Sequence, residues 1–181
     1  MASIIGVETL QHTNGTTAAT IDSSGKVTLP NTPVCIDQYR ITTSVTSDGI
    51  ITAWEQVDDA QFSSGGTSMS LSSGVFTFPH TGLYRIFCFA NPTQVSGDSS
   101  VNMEIAVSSN SGSTYNALAL AISGQPNQQS SMSAEAFVNV TDTSTFRAVI
   151  KAGSLSGGSV IQGNTDWNRS AVSFMRVADS Q

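Results

Sequence analysis

The stretch Ser73-Gly74-Val75-Phe76-Thr77-Phe78-Pro79-His80-Thr81-Gly82-Leu83-Tyr84-Arg85-Ile86-Phe87-Cys88-Phe89-Ala90 decides the fold class. Phe76 and Phe78 fall two apart, as do Tyr84, Ile86 and Cys88, so each side of the Pro-His-Thr-Gly break reads as a strand with one alternating apolar face. Pro79 has no N–H for a ladder and Gly82 tolerates unusual backbone torsions, which predicts a tight reversal joining a hairpin. Leu83, Phe87 and Phe89 make the second strand apolar on its other side too. That pattern predicts a central strand covered on both faces.

Working outward, strand signals recur at short spacing. Upstream, Tyr39 to Val45 and Ile50 to Val57 flank Ser47-Asp48-Gly49, a hairpin cue, and Asp58-Asp59 opens a polar loop. Downstream, Val101 to Val107, Ala117 to Ile122, Ala134 to Val140, Thr145 to Ile150 and Ala171 to Val177 are separated by turn residues, with a Gly/Ser-rich loop over 153–164. About eight to ten antiparallel strands with such turns predict an all-β jelly-roll sandwich over residues 34–181. Residues 1–33 read differently. Asn14-Gly15 and Asp22-Ser23-Ser24-Gly25 mark turns, Lys26 to Leu29 completes a small hairpin, and Pro30 and Pro33 bracket a stiff, extended linker. The apolar groups Ile4, Ile5, Val7, Leu10, Ile21, Val27 and Leu29 are too few for a core and too many for an inert tail. An extended N-terminal anchoring arm is expected, ordered by added strands on a partner.

Composition narrows function by exclusion. The net charge of −6, with only 11% charged residues, leaves no basic stripe for a phosphate backbone, so nucleic acid is not expected as a partner. No apolar run reaches membrane-spanning length and the start shows no export signal, so neither membrane insertion nor secretion is expected. Cys35 and Cys88 are the only cysteines and lack metal-ligand spacing; they are expected as buried thiols, with a bridge left open. His12 and His80 lie in the arm and in the Pro-Gly break, without an orienting carboxylate and a nucleophile. No nucleophile elbow, zinc set or phosphate-binding loop occurs, so catalysis is not expected. Asp58, Asp59, Asp98, Asp142 and Asp166 could offer oxygens to Ca²⁺, but they are dispersed and form no calcium-binding loop; no cofactor is expected. Trp54 lies in an alternating run and reads as core. Trp167, in the polar loop Gly163-Asn164-Thr165-Asp166-Trp167-Asn168, is a candidate ligand contact.

Trp54, then Asp58-Asp59 and Phe62, then Gly74-x-Phe76-x-Phe78-Pro79-x-x-Gly82-x-Tyr84-x-Ile86, resembles the signature of the tumour-necrosis-factor-like and complement globular-head jelly rolls. Asn168-Arg169-Ser170-Ala171-Val172-Ser173-Phe174-Met175-Arg176-Val177 is similar to that family's last core strand, and Val138-Asn139-Val140-Thr141-Asp142 to the strand before its penultimate hairpin. The likeness spans residues 40 to 178. Residues Ile5-Gly6-Val7-Glu8-Thr9-Leu10-Gln11, with the two turns after them, resemble the starts of structural proteins of marine tailed bacteriophages. Together these resemblances imply a homotrimer and a virion location. The role they imply is capsid decoration, attached to other virion proteins through the arm. A tail-fibre knob binding a host receptor or glycan is the alternative, and a secreted signalling or lectin-like module a second one.

Overall fold

The computed structural model of the chain describes residues 8–15, 17–28, 33–124 and 126–181. Met1–Pro33 and Val34–Gln181 form two compact units. In the first, β1 (Thr9–Gln11), β2 (Thr17–Ile21) and β3 (Val27–Thr28) make a small antiparallel sheet in that order. The β2–β3 hairpin closes where Asp22 Oδ1 accepts hydrogen bonds from the Ser24 N–H and Oγ and from the Lys26 N–H, and Gly25 supplies the positive φ of +80°. Four of the seven apolar arm residues, Ile4, Ile5, Val7 and Leu29, lie outside the described residues; of the others, Leu10 and Val27 are exposed and Ile21 is half-buried.

The second unit is an all-β sandwich. One sheet runs β14 (Met132–Val140), β10 (Gly82–Ala90), β17 (Ala171–Ala178), β4 (Cys35–Ile41), β6 (Trp54–Gln56), with β7 (Gly65–Gly66) also on β4. The other runs β13 (Asn116–Ser123), β12 (Val101–Ser108), β15 (Arg147–Gly153), β9 (Val75–Thr77), β8 (Ser70–Ser72), with β5 (Gly49–Ile50) on β15. The pair β11 (Pro92–Thr93) and β16 (Val160–Ile161) closes one end. Every strand pairing is antiparallel, and sequence neighbours repeatedly fall in opposite sheets, as jelly-roll winding requires.

Two expected hairpins are therefore corrected. β9 and β10 do not pair: Pro79-His80-Thr81 carries the chain from one sheet to the other, because Phe76 and Phe78 must cover from above the residues that Tyr84 and Ile86 present from below. Asp48-Gly49 likewise joins no hairpin. β4 pairs with β6, whereas the intervening chain crosses to place β5 on β15, held where Val45 bridges Ile161 and Asp48 Oδ1 accepts the Leu155 N–H at 2.8 Å. Proline and glycine spacing marks where a chain must bend. Which sheet it enters next depends on the shared core.

That core is an aromatic cluster. Phe76 stands 5.0 Å from Tyr39, 5.9 Å from Trp54 and 4.8 Å from Phe174, between ring centroids, and Phe78 lies 4.8 Å from Tyr84 in edge-on geometry. The polar atoms of these rings are satisfied: Trp54 Nε1 donates to the Ile51 carbonyl, Tyr39 Oη to that of Met69 and Tyr84 Oη to that of His80. Cys35 and Cys88 are free and fully buried on β4 and β10. Burial pushes each thiol up to about 12, so both stay protonated and unreactive near neutral pH.

Candidate assembly and binding surfaces

β10 pairs along its whole length with β14 and β17, which makes it central, but it is not covered on both faces. Tyr84, Ile86 and Cys88 are wholly buried, while Leu83, Arg85, Phe87 and Phe89 are only half-buried on the side facing away from the sandwich. Register extends that outer row sideways. Phe137 stands opposite Arg85, Met175 opposite Arg85 from the other neighbour, and Ile36 opposite Met175 one strand further on. Phe137 is 57% exposed, and Ile36, Met175 and Val177 are also exposed. An apolar sheet face thus looks outward, crossed by one ion pair, Arg85 Nη2 to Glu135 Oε2 at 2.6 Å, with the Arg85 guanidinium over the Phe87 ring. A face of this composition is the kind of surface that proteins cover by association.

A second apolar surface lies at the sandwich edge where β13 and β14 end their sheets. Leu118, Leu120 and Ile122 alternate along β13 at 47%, 52% and 60% exposure. Beside them Val107, Leu118, Phe137, Val138 and Phe146 line a groove of about 310 Å³ with Ser109, Asn116 and Asn139 at its rim. The alternation of 117–122 is plain in the sequence. What it hides is that the larger residues of the strand face outward, while Ala119 and Ala121 turn toward the core.

Elsewhere the polar candidates resolve into structural roles. Arg40, 2% exposed, donates Nε to Glu55 at 2.6 Å, Nη1 to Asp59 at 2.8 Å and Nη2 to Asp58, so two of the aspartates considered for calcium are committed to a guanidinium. Nothing in its sequence neighbourhood signals that network. Asp98 is buried and accepts the N–H groups of Gly157 and Ser159, while Asp142 accepts from the Ser144 N–H and Oγ. Asp166 is exposed in the loop that carries Trp167. Among the described residues no group of three or more His, Cys, Asp or Glu could hold a metal ion. His12 lies in the exposed β1–β2 turn, and His80 is half-buried, its carbonyl engaged by Tyr84. Trp167 is 55% exposed on a held loop: Asn164 Oδ1 accepts the N–H groups of Asp166 and Trp167, and the Arg169 guanidinium lies 5.4 Å from its ring centroid.

The chain matches no family model, and no curated protein matches it. Its fold does match solved structures. The Eiger TNF of S. frugiperda superposes with a TM-score of 0.62 at 12% identity, covering 83% of this chain and 96% of that one. Murine APRIL at pH 5.0 gives 0.60 at 8% identity, over 80% of this chain and 99% of that one, and the pH 8.5 form gives 0.57 at 10% identity. At such identities the likeness establishes the fold: this chain carries a TNF-like jelly-roll sandwich with a further strand unit at its N-terminal end.

Proposed function

We propose that this chain is a non-enzymatic structural protein of a bacteriophage virion, a homotrimeric capsid-decoration protein that residues 1–33 fasten to its particle. The observation that carries the assembly part is the pair of apolar surfaces on one protomer, the outer sheet face around Phe87, Phe89 and Met175 and the β13–β14 edge around Leu118 and Phe137. A face and an edge that differ can meet head to tail, and such a contact gives a ring when its rotation closes. Ring closure also favours three copies energetically. Each association loses roughly 4–15 kcal/mol of rigid-body freedom, and a closed trimer makes three contacts for two such losses.

The virion assignment is supported by the resemblance of the first thirty or so residues to the starts of marine tailed-phage structural proteins. Threefold attachment through three arms multiplies effective affinity without new contacts. The exposed, held Trp167 favours the second reading, a tail-fibre knob whose loop contacts a host receptor or glycan. Light scattering should give a trimer mass for the purified protein. Quantifying the chain in purified particles separates the readings: many copies spread over the capsid for decoration, a few at the tail tip for a knob. Absence from particles would overturn both.

A further inference from the structure

We infer that Trp167 and the polar cleft beside it form a binding site for a neutral sugar; this rests on the receptor-contact reading of that loop and gives it a ligand class. The cleft, of about 510 Å³, is lined by Arg40, Glu55, Asp58, Asp59, Thr165 and Asp166. Arg40 is its buried member, 2% exposed, and its guanidinium holds Glu55 Oε1, Asp58 Oδ1 and Asp59 Oδ2. A carboxylate has two oxygens, so each of the three gives one to Arg40 and keeps the other for a further donor. The shared guanidinium fixes where those oxygens stand before any ligand arrives, which lowers the ordering cost of binding. Asp58 and Asp59 keep 78% and 39% of their side-chain surface exposed, so a ligand can reach them.

Trp167 directly follows the last residue that lines the cleft. Its ring is 55% exposed, and the backbone that carries it is fixed, because Asn164 Oδ1 accepts the N–H groups of both Asp166 and Trp167. The next two residues each leave one buried side-chain atom without a hydrogen-bond partner among the described residues, Asn168 Oδ1 and Arg169 Nε. An acceptor and a donor left open beside an exposed ring call for a partner that both gives and takes hydrogen bonds, as a hydroxyl or a water it orders does. Charge narrows the ligand from two sides. Four carboxylates against one guanidinium repel sialic acids, uronic acids and phosphates. The Arg169 guanidinium already stands 5.4 Å from the Trp167 ring centroid, so a second cation stacked on that ring would set like charges against each other. A neutral sugar avoids both conflicts: its C–H face stacks on the ring while its hydroxyls donate to the carboxylate oxygens. β6 ends its sheet on the side opposite β14, so the cleft lies away from the β13–β14 edge assigned to the ring.

The test applies the full-length chain to an array of neutral glucose-, galactose- and mannose-terminated oligosaccharides, with sialylated oligosaccharides and a lysine-rich peptide beside them. Binding to at least one neutral member, unchanged by high salt, is expected, with none to the sialylated or peptide spots. Trp167→Ala and, separately, Asp58→Asn should each weaken that binding about tenfold while melting close to the parent, because both side chains are exposed. Trp167→Phe, which keeps a stacking face, should retain most of it. No neutral binder on the array, salt-sensitive capture of the peptide instead, or neutral binding untouched by both variants overturns the inference. Copy number in particles is read separately. Sugar binding by a chain found in many copies over the capsid upholds the site and overturns the knob, whereas a few copies at the tail tip without sugar binding uphold the knob and overturn the site.

Discussion

The two faces of β10 carry nearly the same chemistry and have opposite fates. Tyr84, Ile86 and Cys88 are wholly buried; Leu83, Phe87 and Phe89, one residue out of phase, are half-buried on the side facing away from the sandwich. The inner row meets Phe78 and Phe174 in a closed aromatic cluster, whereas the outer row lies in an open sheet face with Phe137, Met175 and Ile36. An apolar second face therefore does not by itself say that the strand is covered, or by what. The sharpest way to break the comparison is to truncate one large ring on each side. Phe76→Ala, fully buried among Tyr39, Trp54 and Phe174, should cost about 3–5 kcal/mol in equilibrium urea unfolding. Phe137→Ala on the outer face, studied at concentrations where the proposed trimer is dissociated, should cost less than about 1 kcal/mol. Equal costs would mean that the outer face packs within the monomer.

Association should invert that ranking. Phe137→Glu places a carboxylate beside Glu135, in the middle of the surface that the ring would bury, and leaves the core untouched. A central interface residue of this size is worth roughly 2 kcal/mol in each of the three contacts, so the proposed trimer should dissociate at a concentration higher by about a hundredfold or more in sedimentation or light scattering. An unchanged trimer would move the interface away from the outer face.

The two sides also explain what could be read in the sequence. Period-two alternation identified most of the long strands of the head, and the Phe-x-Phe and Tyr-x-Ile spacing identified the residues that meet in the core. The spacing did not show that Val75–Thr77 and Gly82–Ala90 belong to different sheets, because a bend between strands looks alike whether the chain returns to its neighbour or crosses the sandwich. Nor did it show the Arg40 network, which joins residues fifteen to nineteen positions apart through a loop without periodicity. The large residues of β13 alternate visibly, but the alternation alone does not say whether alanine or leucine faces inward. Periodicity reports a strand's two faces; it does not report their surroundings.

Gly82 tests the crossing itself with a smaller effect. It opens β10 with φ at +150°, and a Cβ there would stand 2.4 Å from Arg176 Nε and 2.7 Å from the Ala178 carbonyl oxygen of β17. Arg176 can swing aside, but the carbonyl belongs to the ladder. Gly82→Val should therefore cost more than about 1 kcal/mol and lower the melting temperature by several degrees, with the trimer still forming. A variant that melts like the parent would mean that β10 begins after this residue.

Acid should produce the smallest effect, and it separates the two faces once more. Hydrogen bonds from Ser159 and Gly157 hold Asp98 below the usual carboxylate range, Ser144 does the same for Asp142, and Arg85 for Glu135 on the outer face. A carboxyl whose folded-state value is depressed adds stability above its unfolded value, which is 3.8 for the aspartates and 4.5 for the glutamate, and loses it as the pH falls through the folded value. The melting temperature should therefore stay flat from neutral pH to about pH 5 and decline below about pH 4. Asp98→Asn keeps the side chain's shape but cannot titrate, so it should melt lower near neutral pH and show a shallower acid decline. Glu135→Gln should leave melting of the head almost unchanged and flatten the acid dependence of dissociation of the proposed trimer, because its carboxylate pairs with Arg85 on the surface that association would cover. If Glu135→Gln instead flattened the melting curve of the dilute monomer, the Arg85 pair would belong to the stability of the head, and the outer face would have lost the one charge contact that distinguishes it from a solvated surface.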